Sequence, residues 1–389
     1  MKLLLISRDF PNIIGGVSDY TYHLSKALAE KGHNVYVLTS FNDKIIRNIE
    51  GNVKVLPLVK SWNFRGLPQI IKEIKKVNPD WVLLQYVPHM YSHYAIPVYI
   101  AMLSVILRFS GHKLLTTFHE VAIRFDLKKP KYWVIALIER AITYILCACS
   151  QKIVVSIDYY CKMLKRFNSK ICRIPVGSSI IPYEVGAETL KRIKEQVAPN
   201  GEIIVSTFGS GASWIRNDVL LEAVNKLIKE QGILLKIIFL GGIGDSYQKN
   251  IIESLAKRLN IEKNIFITGY LQSNEIYKYL AVSDFFVLLD NNAYGGISTK
   301  STSLASAYAA KLPIIGNRGI LTDDFFKDKE NILLINSVDS REVEKGILEL
   351  FKNYDLCNKL KRGSEETYKD YLSWGRISES YTAIISSFV

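Results

Sequence analysis

The sequence predicts an α/β chain of two parallel-sheet domains, and three observations carry that. Short continuous apolar runs alternate with segments of helical periodicity. The alternation lapses over residues 175–200, which are rich in Pro, Gly and charge, and then restarts. The length of 389 residues suits two domains at roughly 100–200 residues each. A strand that is apolar along its whole length is buried on both faces, as in a parallel sheet covered by helices.

Taken in order, KLLLIS (2–7) is a strand that stops at Pro11. GGVSDY (15–20) is a loop opening a helix, and YTYHLSKALAEKGH (20–33) carries apolar residues at 24, 27 and 28 before ending at Gly32. NVYVLTS (34–40), WVLLQYV (81–87), KLLTTFH (113–119) and KIVVSI (152–157) are strands with helices between them. Segment 175–200 reads as a linker. The second set follows: strand EIIVSTFG (202–209), helix 216–231, strand LKIIFLGG (235–242), helix 246–260, strand NIFITGY (264–270) and helix 273–282. Strand DFFVLLD (284–290), helix 299–311, strands LPIIGN (312–317) and NILLIN (331–336), and helices from 340 onward complete it. The expected division is 1–185, 200–370 and a terminal helix 371–389. These are two Rossmann-like halves, with no short-period repeat.

Lys and Arg exceed Asp and Glu by 50 − 37 = +13. Such an excess suits nucleic acid, anionic lipid or a phosphorylated ligand. No nucleic-acid module is present, and the basic residues are spread as on a solvated surface, with a local cluster at Lys128, Lys129 and Lys131. Five cysteines (147, 149, 161, 172 and 357) form no CxxC pair. Reduced thiols in a cytosol are the expectation, with no zinc site and no metal. The apolar N-terminal run reads as a first strand, not a secretory leader. Stretch 95–109 is too short to span a bilayer, and 132–149 carries Glu139 and Arg140 at its centre, so neither is a transmembrane helix.

Open parallel sheets bind ligands beyond the carboxyl ends of their strands, where helix N-termini and glycine loops favour anions. Gly15-Gly16 follows the first strand; a tight turn explains the pair equally well. It is not GxGxxG, and LTS ends the second strand without an acid, so a dinucleotide site is disfavoured. Gly209-Ser210-Gly211 and Gly241-Gly242 repeat the arrangement in the second half. Arg216 opens the helix after the first of these and can grip a diphosphate in bidentate fashion, or simply face solvent. His119 ends a strand and so points at the ligand side; His89 and His93 follow another strand end. The segment YGGISTKSTSLASAYAAKLPIIGNRG (294–319) holds no carboxylate.

GGVSDYTYHLSKALAEKGHNVYVLTS, TTFHE, IPVGS, VLLEAV, FITGYL, AVSDFFVLL, AYAAKLPIIG and SWGRISESYTAI follow one another in an order that resembles glycosyltransferase family 4. The resemblance implies the GT-B fold, two Rossmann-like domains facing across a cleft. It implies sugar transfer from a nucleotide diphosphate donor, with retention and without metal. The acceptor belongs to the N-terminal half and the donor, of UDP or GDP type, to the C-terminal half. The last helix, 374–389, is expected to cross back to the first domain.

By the same resemblance, Gly15 and Gly16 lie near the donor phosphates, and His119 meets sugar and acceptor. Arg216 stands for a basic residue on the diphosphate, and Tyr270 and Leu271 meet the base. The family's two Glu residues before its GLP strand fall at Ser298 and Ser306, and Lys311 replaces the common Gly. Their carboxylate roles therefore do not transfer. Gly295, Gly296, Ser298, Thr299 and Ser303 offer hydroxyls and amides instead, and Lys300, at a helix start, adds charge. Catalysis is expected from His119, Arg216 and Lys300. Segment 124–149 joins basic residues to Tyr132, Trp133 and an apolar helix. It suits an anionic membrane surface and a lipid-linked or glycan acceptor, on the inner face of the plasma membrane; packing into the core is the other reading. A non-catalytic subunit of the same fold and a nucleotide-sugar epimerase are the rival functions.

Overall fold

The computed structural model describes residues 1–389 except 12, 14, 43–47, 50, 122–132, 169, 210–213, 242–245, 292–294 and 388–389. It divides into two units, Met1–Pro175 with Trp374–Val389, and Val176–Ser373.

The first unit is built on β1 (Lys2–Ile6), β2 (Asn34–Ser40), β3 (Asn48–Ile49), β4 (Val53–Val59), β5 (Trp81–Tyr86), β6 (Leu114–Phe118), β7 (Lys152–Val155) and β8 (Ile171–Arg173). They lie in the order β3-β4-β2-β1-β5-β6-β7-β8. Every neighbouring pair is parallel except β3 with β4. β5 and β6 are buried at every residue, their largely apolar runs enclosing the polar Gln85, Thr116 and Thr117 as well. The chain winds outward from β1 through β2 and β4, then restarts at β5 on the other flank of β1. The β1/β5 junction is therefore the topological switch point. β4 departs from the anticipated elements. Its sequence, VKVLPLV, alternates buried and more exposed residues around Pro57, unlike the continuous runs that mark the other strands.

Helix Gly16–Glu30 follows β1, and helix Trp374–Ser386, from the chain's end, packs on it in the same unit. The latter buries Trp374, Ile377, Tyr381 and Ile385, an i, i+3, i+7, i+11 stripe on one helical face.

The second unit holds β9 (Ile203–Phe208), β10 (Leu235–Leu240), β11 (Ile265–Ile267), β12 (Phe285–Leu288), β13 (Ile314–Asn317) and β14 (Leu333–Ile335). Their order is β11-β10-β9-β12-β13-β14, all parallel, with the switch point between β9 and β12. Successive strand residues feed opposite cores. Val205, Ile237 and Phe239 pack with Leu220, Leu227 and Ile347 on one face. Ile204, Ile238 and Phe286 pack with Leu280, Leu304 and Tyr308 on the other.

Part of the anticipated linker is ordered. Residues Ala187–Val197 form a helix whose Ile193 and Val197 join the second core. Its apolar positions are few and Pro and Gly flank it, so the helical period is weak in the sequence. The helix expected at 299–311 is shorter, Thr302–Ala309. Ser301 caps it by accepting from the Leu304 N–H at 3.2 Å, so Lys300 precedes the cap instead of starting the helix.

Candidate functional site

In the second unit the loops after β9 and β12 meet at the switch point. Arg216 N–H donates to Leu289 O at 3.0 Å, and Asn291 N–H to Trp214 O at 2.9 Å. A Cβ placed on Gly209 would lie 3.8 Å from Ser303 Oγ, so the β9 loop runs beside the helix that follows β12. Gly209, Arg216, Lys300 and Ser303 are thereby gathered at one end of one sheet. Ser210, Gly211 and Gly242 lie outside the described residues.

Arg216 immediately precedes helix Asn217–Gln231. Its Nε and Nη2 donate to the two Asp218 oxygens at 2.8 and 2.7 Å. Burial is the largest single influence and would raise the Asp218 carboxyl, but the Arg216 bonds, the Arg216 charge and backbone N–H groups of Asp218 and Val219 together hold it below its ordinary range. The same bonds raise the guanidinium. A diphosphate at this helix start would share Arg216 with Asp218. Lys300, half-buried, makes no ion pair with the described residues.

The loop 295–301 is held from beneath. Gly295 and Gly296 have φ of 66° and 90°, where a side chain is strained. A Cβ on Gly296 would sit 2.5 Å from Gly319 N and from Thr322 Oγ1. Leu321 N–H donates to Gly295 O, and Ile297 N–H to Asn317 O, each at 3.1 Å. Gly296 is thus required by packing against the loop after β13, whereas at Gly295 a Cβ would meet nothing within 4 Å among the described residues and only the backbone setting favours glycine. Asn317, 2% exposed, ties β13 to β12: its Oδ1 accepts from Asp290 N–H and its Nδ2 donates to Asp290 O. Asp323, 4% exposed, accepts from Thr299 N–H at 2.9 Å and from Thr299 Oγ1 at 2.6 Å. A carboxylate does serve the segment, then, but it comes from farther along the chain and anchors the loop.

Ser298 is 2% exposed and Ser306 0%. The Ser306 hydroxyl donates to Thr302 O at 2.7 Å and accepts from Ser178 Oγ at 3.1 Å, so it is engaged inside the fold. Gly241 has φ of 76°, bridges Gly269, and gives its N–H to Thr268 Oγ1 at 3.1 Å. That amide is engaged internally. Tyr270 is 70% exposed, while Leu271 packs on the second core.

In the first unit, Gly15 caps helix Gly16–Glu30 with extended backbone, and a Cβ on Gly15 or Gly16 would meet nothing within 4 Å among the described residues. One turn on, the Tyr20 ring stands edge-on to His119, centroids 4.7 Å apart, and so ties the helix start to the end of β6. His119 Nε2 meets Gln85 Oε1 at 2.9 Å. His119 keeps a partial opening to solvent, yet protein surrounds its ring and burial lowers its pKa to about 4. The imidazole is neutral at physiological pH. Behind it, Tyr20 OH meets Tyr381 OH at 3.0 Å, Tyr381 OH meets Thr117 Oγ1 at 2.8 Å, and Trp374 packs on Tyr20 at 5.2 Å. The C-terminal helix thus backs the His119 wall.

Gln85, Asp323, Asn317 and Tyr20 were not anticipated as site residues. Gln85 left one trace in the sequence, a polar residue inside the otherwise apolar run WVLLQYV. The basic cluster Lys128, Lys129 and Lys131, with Tyr132, lies outside the described residues. Among the described residues no helix is long and apolar enough to cross a membrane, and no group of His, Cys, Asp and Glu is arranged to hold a metal ion.

Two parallel sheets, each with glycine-bearing loops at its switch point, define a protein of the GT-B architecture. Two family models match in succession, Glycosyltransferase Family 4 over residues 14–178 and Glycosyl transferases group 1 over residues 189–367. The chain belongs to the glycosyltransferases of family 4 type. The alpha-monoglucosyldiacylglycerol synthase of Acholeplasma laidlawii is 22% identical over 403 residues, spanning 95% of this chain and 93% of its own. The enzyme of the same name from Streptococcus pneumoniae is 22% identical over 85% of this chain and 74% of its own. A glycosyltransferase from Rickettsia africae ESF-5 superposes with a TM-score of 0.75 at 19% identity, over 99% of this chain and 98% of its own. Anabaena HepE in complex with UDP and glucose gives 0.73 at 13% identity over 100% of both chains. These likenesses fix the fold.

Proposed function

We propose that this glycosyltransferase moves a sugar from a UDP- or GDP-type donor to a lipid acceptor or lipid-linked glycan, with retention and without a metal ion. The product would be a glycolipid, glycoconjugate or surface polysaccharide. The observation that carries the donor half is the gathering of Gly209, Arg216, Lys300 and Ser303 at the switch point of the second sheet. Negative charge grows on the departing diphosphate, and Arg216 and Lys300 supply the compensating charge that a metal would otherwise give. His119, neutral and half-open, positions the acceptor or sugar hydroxyl. The leaving phosphate takes the acceptor's proton as the new bond forms on the same face.

The lipid acceptor is supported by the diacylglycerol glucosylation named for the bacterial relatives and by a surface of the first unit. Helix Trp133–Cys149 exposes Trp133, Val134, Leu137 and Tyr144 along one stripe. Helix Val98–Phe109, packed on it, exposes Val98, Met102 and Phe109. Phe167 extends the stripe, its ring centroid 5.6 Å from that of Tyr144, with Lys165, Arg166 and Lys170 exposed nearby. An apolar stripe rimmed by cations suits the interface of an anionic membrane, and so a peripheral site on its cytoplasmic face.

The test is transfer by the full chain from UDP-, GDP- and dTDP-sugars to diacylglycerol in anionic vesicles, with and without EDTA, reading the anomer by NMR. An inverted product refutes retention, and abolition by EDTA refutes metal independence. Leu137→Glu with Tyr144→Glu should end flotation with the vesicles; unchanged flotation removes the membrane reading.

A further inference from the structure

We propose that Gln85 is a positioning residue for the transfer reaction: its side-chain oxygen holds His119 as the tautomer protonated at Nε2, leaving Nδ1 as a lone-pair acceptor for a substrate hydroxyl. The inference rests on the reading that His119 faces the reacting hydroxyl, and it adds the group that decides which imidazole nitrogen does so.

Gln85 is 0% exposed in a strand buried at every residue. Its flanks are Leu84 and Tyr86, and an apolar residue would pack there at no polar cost. Instead an amide is buried, and its Nε2 has no hydrogen-bond partner among the described residues. Burying an unmatched donor is unfavourable, so the worth of a glutamine at this place lies in what its oxygen does. That oxygen meets His119 Nε2 at 2.9 Å. A carbonyl oxygen only accepts, which makes Nε2 the protonated nitrogen.

The geometry is fixed from several sides. Tyr91 OH donates to Gln85 O at 2.9 Å, and His119 N–H donates to Tyr86 O at 3.0 Å, pinning both backbones. The Tyr20 edge closes one side of the ring and is itself held by Tyr381 and Trp374. Nδ1 has no partner among the described residues. A neutral imidazole with one nitrogen tied down and the other open accepts one hydrogen bond and donates none. It therefore selects a hydroxyl presented hydrogen-first, as an acceptor alcohol is before it attacks.

The experiment uses the full chain labelled with 15N-histidine, the His119 signals being assigned by their loss in His119→Ala. Long-range 1H–15N spectra should show His119 protonated at Nε2 in the wild type. In Gln85→Leu the signals should shift to a mixture of tautomers, with kcat about tenfold lower and the donor KM within about twofold. Gln85→Glu keeps an acceptor at the same place. It should retain the Nε2–H tautomer and restore kcat above the acid limb, while moving that limb to higher pH, since a carboxylate favours the imidazolium. Among the described residues the other side chain shown against the ring is the neutral Tyr20, and Glu120, next in sequence, is exposed. A wild-type His119 protonated at Nδ1 overturns the proposal without any variant. So does a Gln85→Leu enzyme with unchanged tautomer and kcat. A fully active His119→Ala removes the premise instead, and the spectra tell the two failures apart.

Discussion

Replacing Gly296 by Ala tests whether the loop after β12 is held by contact with the loop after β13. Two costs follow from the structure. Gly296 has φ of 90°, a left-handed setting that costs an L-residue roughly 1–2 kcal/mol. The new Cβ would lie 2.5 Å from Gly319 N and Thr322 Oγ1 and 2.6 Å from Gly319 Cα. Comfortable separations are about 3.5–4.0 Å, so the two loops must part by about 1 Å, and overpacking of this kind costs about 1–3 kcal/mol. The total is about 2–5 kcal/mol. For a unit the size of Val176–Ser373 this lowers Tm by roughly 5–15 °C. The control is Gly232→Ala. Gly232 has φ of 64° but nothing within 4 Å of its Cβ, so it carries the backbone term alone. Calorimetry on the full chain and both variants, with UDP and GDP binding measured alongside, isolates the contact. Equal Tm losses in the two variants would refute the packing argument.

Thr299→Val removes the hydroxyl bond to Asp323 and keeps the amide bond; loss of about 1.5–3 kcal/mol is expected in urea unfolding. Asp218→Asn releases Arg216 from its carboxylate, and nucleoside diphosphate affinity should rise about two- to fivefold by calorimetric titration, the exposed pair being weak. His119 has a folded pKa of about 4 against an unfolded value of about 6.5. The unfolded chain therefore binds the proton first. The contribution is fully present above about pH 6.5 and is lost as pH falls toward 4, up to about 3 kcal/mol. His119→Gln should flatten the urea midpoint across that window.

The sheets were legible because parallel strands covered on both faces are predominantly apolar, as WVLLQY and LKIIFL are with one polar residue each, Gln85 and Lys236. β4 was not, since VKVLPLV alternates and holds a proline. The helix Ala187–Val197 was hidden because it buries only Ile193 and Val197 between polar turns. At the site, glycine loops and His119 stand out through type and position at strand ends. Their supports do not. Asp323 acts on Thr299 from 24 residues away, and Gly319 acts on Gly296 through a backbone approach that no local pattern encodes. Gly296 shows how the sign can mislead: glycine admits a ligand and admits a neighbouring loop by the same absence of Cβ, and here a loop fills the space.

The assignment of Trp374–Val389 to the first unit sets the order in which the protein can mature on the ribosome. Every residue of Val176–Ser373 emerges before the helix that covers Tyr20. The later-translated body can finish first, while the earlier one waits with Tyr20 lacking Tyr381 and Trp374. A stop codon ahead of Trp374 would therefore spare the nearest body and cripple the most distant segment of the message.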